Sequence, residues 1–258
     1  MGFGNKKSSQ KSQKSQKYLT VLKNSNFSFV ESFNSLRTNI LFSLPMNQNG
    51  CRKILFTSSN PAEGKSTTCV NTAISLAFAN QRVLILDADL RKPTVHRYFD
   101  FDNSQGLSNI LVGMCKAEEC IKKVEGIDNL SVITAGVNSP NPSELLTGVG
   151  MEKFLNDLSP SFDFIIIDTP PVNAVTDALA VSKFADGVVL VTARNVTRIG
   201  EVNQAVSALK FAGANILGFV LNKALVHSRR YGHNSSYYDY YRTPSDTSQS
   251  TNEKSARK

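Results

Sequence analysis

Six short apolar runs punctuate the chain: Ile54-Leu55-Phe56, Val83 to Leu86, Leu130 to Ile133, Phe164 to Ile167, Val188 to Val191 and Ile216 to Leu221. They are continuous rather than alternating, which is the pattern of strands buried on both faces. Between them, segments such as Ser66–Asn80 and Glu201–Phe211 place apolar residues at helical spacing. Strands alternating with helices predict βαβ units, and hence a doubly wound, mostly parallel α/β sheet covered by helices. No internal repeat breaks this rhythm. The two ends differ from the middle. Residues 1–17 repeat Lys, Ser and Gln as KSQKSQK, and residues 242–258 are similarly polar. Neither end has the apolar residues needed to enter a core, so both are expected to be disordered. The expected organisation is a basic tail over 1–26, a folded domain over 27–230 and a flexible tail over 231–258.

Charge refines this picture. The net charge of +8 is carried by the ends. Residues 1–30 hold six lysines and no acid, residues 242–258 add a small basic excess, and residues 31–241 are neutral. A nucleic-acid-binding domain carries its basic patch on the folded core, so nucleic acid is not expected as a partner. Basic flexible ends suit weak attraction to an anionic membrane surface. The hydrophobic fraction of 41% is ordinary for a chain that buries a core. No apolar run reaches the roughly 18 residues of a spanning helix, and the basic N-terminus does not resemble a signal peptide or an acylation site. Cys51, Cys69, Cys115 and Cys120 form no C-x-x-C pair and are expected to be reduced thiols rather than zinc ligands.

The strongest local signal is Ser59-Asn60-Pro61-Ala62-Glu63-Gly64-Lys65-Ser66-Thr67, after a predicted strand and at the start of a predicted helix. That context suits a phosphate-binding loop (a Walker A motif), with backbone N–H groups and the positive helix end facing a polyphosphate. Lys65 would supply a point charge to the β and γ phosphates, and the Ser66 hydroxyl could ligate Mg²⁺. Ser59 stands where the motif usually begins with glycine. Two further runs end in acids: Val83–Leu86 meets Asp87-Ala88-Asp89, and Phe164–Ile167 meets Asp168. In open parallel sheets, ligands bind beyond the carboxyl ends of the strands, so both runs should deliver carboxylates beside the loop. Asp168 fits the Walker B role of holding Mg²⁺. Asp87 and Asp89 point to the same side if the strand continues through both, one as proton acceptor and the other as metal support. The catalytic candidates are therefore Lys65, Asp87 and Asp89. The nucleotide candidates are Ser59, Glu63, Gly64, Lys65, Ser66 and Thr67, and the metal candidates are Ser66, Asp87, Asp89 and Asp168.

Taken in order, SSNPAEGKST, VLILDADLRKP and FIIIDTPP resemble the bacterial tyrosine kinases of capsule and exopolysaccharide systems. Glu31…Leu36-Arg37-Thr38-Asn39-Ile40, Pro140-Asn141-Pro142-Ser143-Glu144-Leu145-Leu146 and Val220-Leu221-Asn222-Lys223 match as well, so the resemblance covers about residues 27–241. It implies a P-loop NTPase fold with Walker A, Walker A′ and Walker B motifs, ATP and Mg²⁺ as cofactors, and Asn222 among the nucleotide contacts. It implies a cytoplasmic kinase at the inner face of the cell membrane, held there by a transmembrane adaptor of the polysaccharide co-polymerase type. A cognate tyrosine phosphatase and a homo-oligomer, for which a ring is one form, are the other implied partners. Two positions depart from the family pattern. Ala62 replaces a usual glycine, and it would be strained if that position needs positive φ. Asn34 replaces the middle arginine of the ring-forming Glu-x-x-Arg-x-x-Arg helix.

Five of the seven tyrosines, Tyr231, Tyr237, Tyr238, Tyr240 and Tyr241, crowd into residues 231–241 with few aliphatic neighbours. Such a cluster could stack single-stranded nucleic acid or serve as a substrate tail. The neutral core and the ATP motifs favour the tail, and the resemblance implies that these tyrosines are autophosphorylated. The competing reading is a regulatory ATPase switch of the partition or positioning type, without kinase activity. That class carries a second loop lysine four residues before the glycine of Gly-Lys, where this chain has Asn60. A dehydrogenase is excluded, because Gly148-Val149-Gly150 follows no strand and lacks a third glycine.

Overall fold

The computed structural model describes residues 26–44 and 50–224. The order of elements begins α1 (Phe27–Ser43), β1 (Arg52–Ser58), α2 (Lys65–Phe78), β2 (Val83–Asp87), a 3₁₀ turn (Val95–Arg97), α3 (Leu107–Leu111) and α4 (Ala117–Cys120). It continues β3 (Lys122–Lys123), β4 (Leu130–Ile133), α5 (Pro142–Thr147), α6 (Val149–Leu158), β5 (Phe164–Asp168), α7 (Asp177–Ser182), β6 (Gly187–Ala193), α8 (Ile199–Phe211) and β7 (Ile216–Asn222). The tails predicted at either end, the tyrosine cluster included, lie outside the described residues.

All six apolar runs are strands of one seven-stranded sheet, ordered β3-β4-β2-β5-β1-β6-β7. Their pairings are parallel. The exception is β3, a two-residue edge strand antiparallel to β4 that the hydrophobic pattern does not reveal. Alternate residues of each central strand enter different cores. Ile54, Phe56, Val83, Ile85, Phe164 and Ile166 face α1 and α2. Leu55, Leu84, Leu86, Ile165 and Ile167 face the layer that includes α5 to α8. With a core on both sides, every position of these central strands must be apolar, which is why their runs do not alternate. The expectation of burial on both faces fails for the sixth run: β7 lies at the sheet edge, with Phe219 and Leu221 exposed.

Helix α2 is rich in β-branched residues, which are poor helix formers. Burial compensates: only Lys65, Thr67 and Phe78 of its residues are not buried. The hydroxyls of Thr68 and Thr72 are satisfied by the carbonyls of Gly64 and Thr68, four residues back. The helix ends where Asn80 turns left-handed at φ 59°, with the Asn80 and Gln81 N–H groups closing onto Ala77 and Leu76. Helix α1 lies against α2. Its Asn26 side chain caps Ser28 N–H at 2.9 Å, and Phe29 meets Phe33 edge-to-face at 5.0 Å. Arg37 is used within the chain, donating to the Ser75 carbonyl at 2.8 Å and hydroxyl at 3.1 Å. Asn34, in the departing position, donates to Glu31 at 3.2 Å.

The sheet order places β5 between β1 and β2, with Asp168 in register with both Phe56 and Asp87. The loop after β1 and the acids after β2 and β5 therefore emerge at one edge. Among the described residues, no helix is long and apolar enough to cross a membrane.

Candidate active site

The segment from Ser59 to Gly64 joins β1 to α2 and wraps the start of that helix. Gly64 has φ 96°, and a Cβ built on it would lie 1.9 Å from Asn222 Nδ2, so both conformation and space demand glycine. Ala62 also has positive φ, at 64°. The strain expected at that position is therefore real. Glu63, almost fully buried, organises the loop. Its carboxylate accepts Asn60 N–H at 3.1 Å and the Thr197 hydroxyl at 2.6 Å. The Asn222 side chain donates to the Glu63 carbonyl at 3.0 Å, and Lys223 Nζ donates to the Ala62 carbonyl at 2.9 Å. Among the described residues, no side chain caps the start of α2. Its first-turn N–H groups and the positive end of its dipole are thus presented to an anion. Among the described residues, the buried Ser59 hydroxyl has no hydrogen-bond partner.

Four charged side chains meet beside this helix end. Lys65 Nζ lies 2.9 Å from Asp89 and 3.4 Å from Asp168. The Ser66 hydroxyl donates to Asp168 at 2.5 Å. Asp87 accepts Asp89 N–H at 3.2 Å and Val95 N–H at 3.1 Å. The expectation that strand alternation aligns Asp87 and Asp89 is corrected: β2 stops at Asp87. Asp89 instead reaches the site from a turn, fixed by accepting Lys92 N–H at 2.9 Å.

Three carboxylates around one ammonium make an unbalanced cluster. Burial, and then the charge of Asp168, push Asp87 up to about 8, against the opposing pull of Lys65. Burial likewise raises Asp168, although Lys65 and the Ser66 hydroxyl work against it. For Lys65, burial favours loss of the proton, but Asp168 and Asp89 outweigh it and hold the ammonium above its ordinary range. An extra positive charge delivered here would relieve the cluster.

Among the described residues, no three His, Cys, Asp or Glu side chains form a ready-made metal cage. The donors are a hydroxyl and carboxylates, all hard oxygens. This set fits Mg²⁺, which keeps several waters and takes one or two carboxylates beside phosphate oxygens.

The structure thus brings together Ser59, Glu63, Gly64, Lys65, Ser66, Asp87, Asp89, Asp168 and Asn222. Thr67 also sits here, its hydroxyl 2.7 Å from that of Tyr98. Sequence reasoning missed Tyr98, Thr197 and Lys223, and it missed a cluster behind Asp89. There Arg91 donates to both oxygens of buried Asp177, at 2.8 and 3.1 Å, and Ser143 donates to the same carboxylate at 2.6 Å. The shared segment Pro140–Leu146 was the available signal for Ser143. Cys115 and Cys120 are free thiols with Sγ atoms 2.8 Å apart, and Cys51 and Cys69 are buried.

An AAA domain family model matches residues 51–212. The tyrosine-protein kinase YwqD of Bacillus subtilis is 37% identical over 204 residues, spanning 79% of this chain and 85% of that protein. The tyrosine-protein kinase ptk of Acinetobacter johnsonii is 41% identical over 207 residues, and the match spans 27% of that longer protein. Among solved structures, the kinase domain of the Escherichia coli tyrosine kinase ETK superposes with a TM-score of 0.70 at 33% identity, over 80% of each chain. The cell division ATPase MinD of Pyrococcus furiosus superposes with a TM-score of 0.58 at 26% identity, over 73% of this chain and 78% of that one.

Proposed function

The chain belongs to the bacterial tyrosine kinases of capsule and exopolysaccharide systems, and from that premise we propose that it moves the terminal phosphoryl group of Mg-ATP onto the tyrosines of its own residues 231–241. The observation that carries this reading is the meeting of Lys65, Asp87, Asp89 and Asp168 at the open end of α2. The nucleotide supplies the phosphoryl group, and Mg²⁺ shields its charge. The first-turn N–H groups of α2 bind the polyphosphate, with Glu63 and Asn222 holding the loop in shape. Lys65 leaves Asp89 to neutralise the transferring group. Ser66 and Asp168 hold the cation. Asp87 takes the tyrosine proton as the phenolic oxygen bonds to phosphorus and the bond to the β-phosphate oxygen breaks. Within the protein alone, burial and Asp168 keep Asp87 protonated up to about pH 8, and the positive charge of a bound cation would draw that pKa down and free the carboxylate to accept the proton.

Transfer runs between neighbouring chains. The tyrosines begin nine residues beyond β7, a tether of at most about 30 Å. Such a tether raises the local tail concentration at a neighbour's site to about the mM range. Phosphates then add roughly −1.5 to −2 charges each and repel the acidic cluster, which loosens the assembly. The protein works at the inner face of the cell membrane beside a transmembrane adaptor, and a cognate tyrosine phosphatase resets it. The alternative, a positioning ATPase switch, draws on the likeness to MinD, but Asn60 stands where that class carries its second loop lysine.

The test mixes Lys65→Met protein, tail intact, with active protein shortened to residues 1–230. Phosphotyrosine is expected on the Lys65→Met chain. If that chain stays unlabelled while intact wild type labels itself, transfer between chains is wrong. If wild type yields no phosphotyrosine with its adaptor present, the switch reading takes over.

A further inference from the structure

Tyr98 follows the 3₁₀ turn that donates Val95 N–H to Asp87. Its ring is half-buried against the core formed with α1 and α2, and its hydroxyl reaches the Thr67 hydroxyl at 2.7 Å. Thr67 is the third residue of α2. Within the first turn, Lys65 and Thr67 are partly buried, whereas Ser66 and Thr68 are buried. Two residues along a helix turn the side chain by about 200°, so Thr67 faces away from the carboxylates that Lys65 contacts. Thr67 thus offers its hydroxyl at a different point of the helix end from Lys65.

We propose that Tyr98 is a positioning residue for the nucleotide, acting through Thr67. A phenol is more acidic than an aliphatic hydroxyl and is the better donor of the two. Tyr98 therefore donates to Thr67 Oγ1, which leaves the Thr67 proton free for a phosphate oxygen. The core-anchored ring holds the threonine in one rotamer before the nucleotide arrives, which lowers the ordering needed on binding. The inference deepens the nucleotide-site reading above and rests on it.

The test measures binding of a fluorescent N-methylanthraniloyl ADP, with Mg²⁺, to the full chain and to Tyr98→Phe, Thr67→Val and the double variant. Phenylalanine keeps the packed ring and removes only the hydroxyl. Tyr98→Phe is expected to weaken Kd by about fivefold, the net worth of one hydrogen bond. Thr67→Val should weaken it at least as much, and the double variant no further than Thr67→Val alone. In autophosphorylation, the loss of kcat/KM in Tyr98→Phe should fall on KM. An unchanged Kd in Tyr98→Phe overturns the inference, as does a double variant whose loss is the product of the two single losses. If Tyr98→Phe folds poorly, Thr67→Val decides alone, because wild-type affinity in that variant also overturns the inference. If wild type itself fails to bind, the nucleotide site is wrong and not merely the role of Tyr98.

Discussion

Ala62→Gly should stabilise the protein, against the usual direction for a change to glycine. Ala62 sits at φ 64°, where an L side chain costs about 1–2 kcal/mol. Glycine removes that cost but adds about 0.4–1 kcal/mol of freedom to the unfolded chain. No packing is lost, because Ala62 is exposed and its bond from Lys223 is to the backbone carbonyl. The net gain is about 0.5–1 kcal/mol, which raises Tm by about 2 °C in a domain of this size. Calorimetry on matched wild type and Ala62→Gly measures it, with Ala62→Val as the opposite arm, since a β-branched residue tolerates positive φ worst. A Tm for Ala62→Gly below wild type would refute the strain argument.

Asp87→Asn separates stability from activity. The raised pKa of Asp87 means that the folded state holds a proton the unfolded chain has released. Its contribution to stability is present below about pH 4 and lost as pH rises towards 8. Without nucleotide or divalent ions, the margin of Asp87→Asn over wild type in Tm should therefore grow between pH 5 and pH 8, while phosphotyrosine formation disappears. Parallel pH profiles for the two proteins would rule this out. Arg91→Ala strips two bonds from the buried Asp177 carboxylate and leaves it only Ser143 among these partners. Because Arg91 is itself partly exposed, the expected loss is about 2 kcal/mol, below the range for fully buried pairs. It would appear as a Tm lower by about 4–8 °C, and a change under about 1 °C would contradict it.

The strands were legible because each must fill two cores, a demand written locally in every run from Ile54-Leu55-Phe56 to Val188–Val191. The loop and its acids were legible because their chemistry sits at strand ends. Helices α3 to α5 and α7 were not, since four to six residues cannot display a helical period. Strand β3 has two lysines and no hydrophobic signature. Asp177, Tyr98 and Thr197 escaped for a different reason: each acquires its meaning from a partner 31 to 134 residues away. Arg37 was legible as a residue of note, but its bonds to Ser75 belong to packing rather than to pattern.

The contact between Gly64 and Asn222 ties the first loop of the sheet to its last strand. It makes residues 222 and 223 part of the nucleotide loop, although they sit at the opposite end of the folded sequence. A chain cut back to residue 221 would keep Lys65 and all three acids, yet it would lose the clamp on the Glu63 and Ala62 carbonyls. Circularly permuted versions with new ends between β6 and β7 face the same penalty unless β7 returns to its slot. A smaller residue at 222 would clear the space beside position 64 but leave its positive φ, so Gly64 is expected to persist even where Asn222 is replaced.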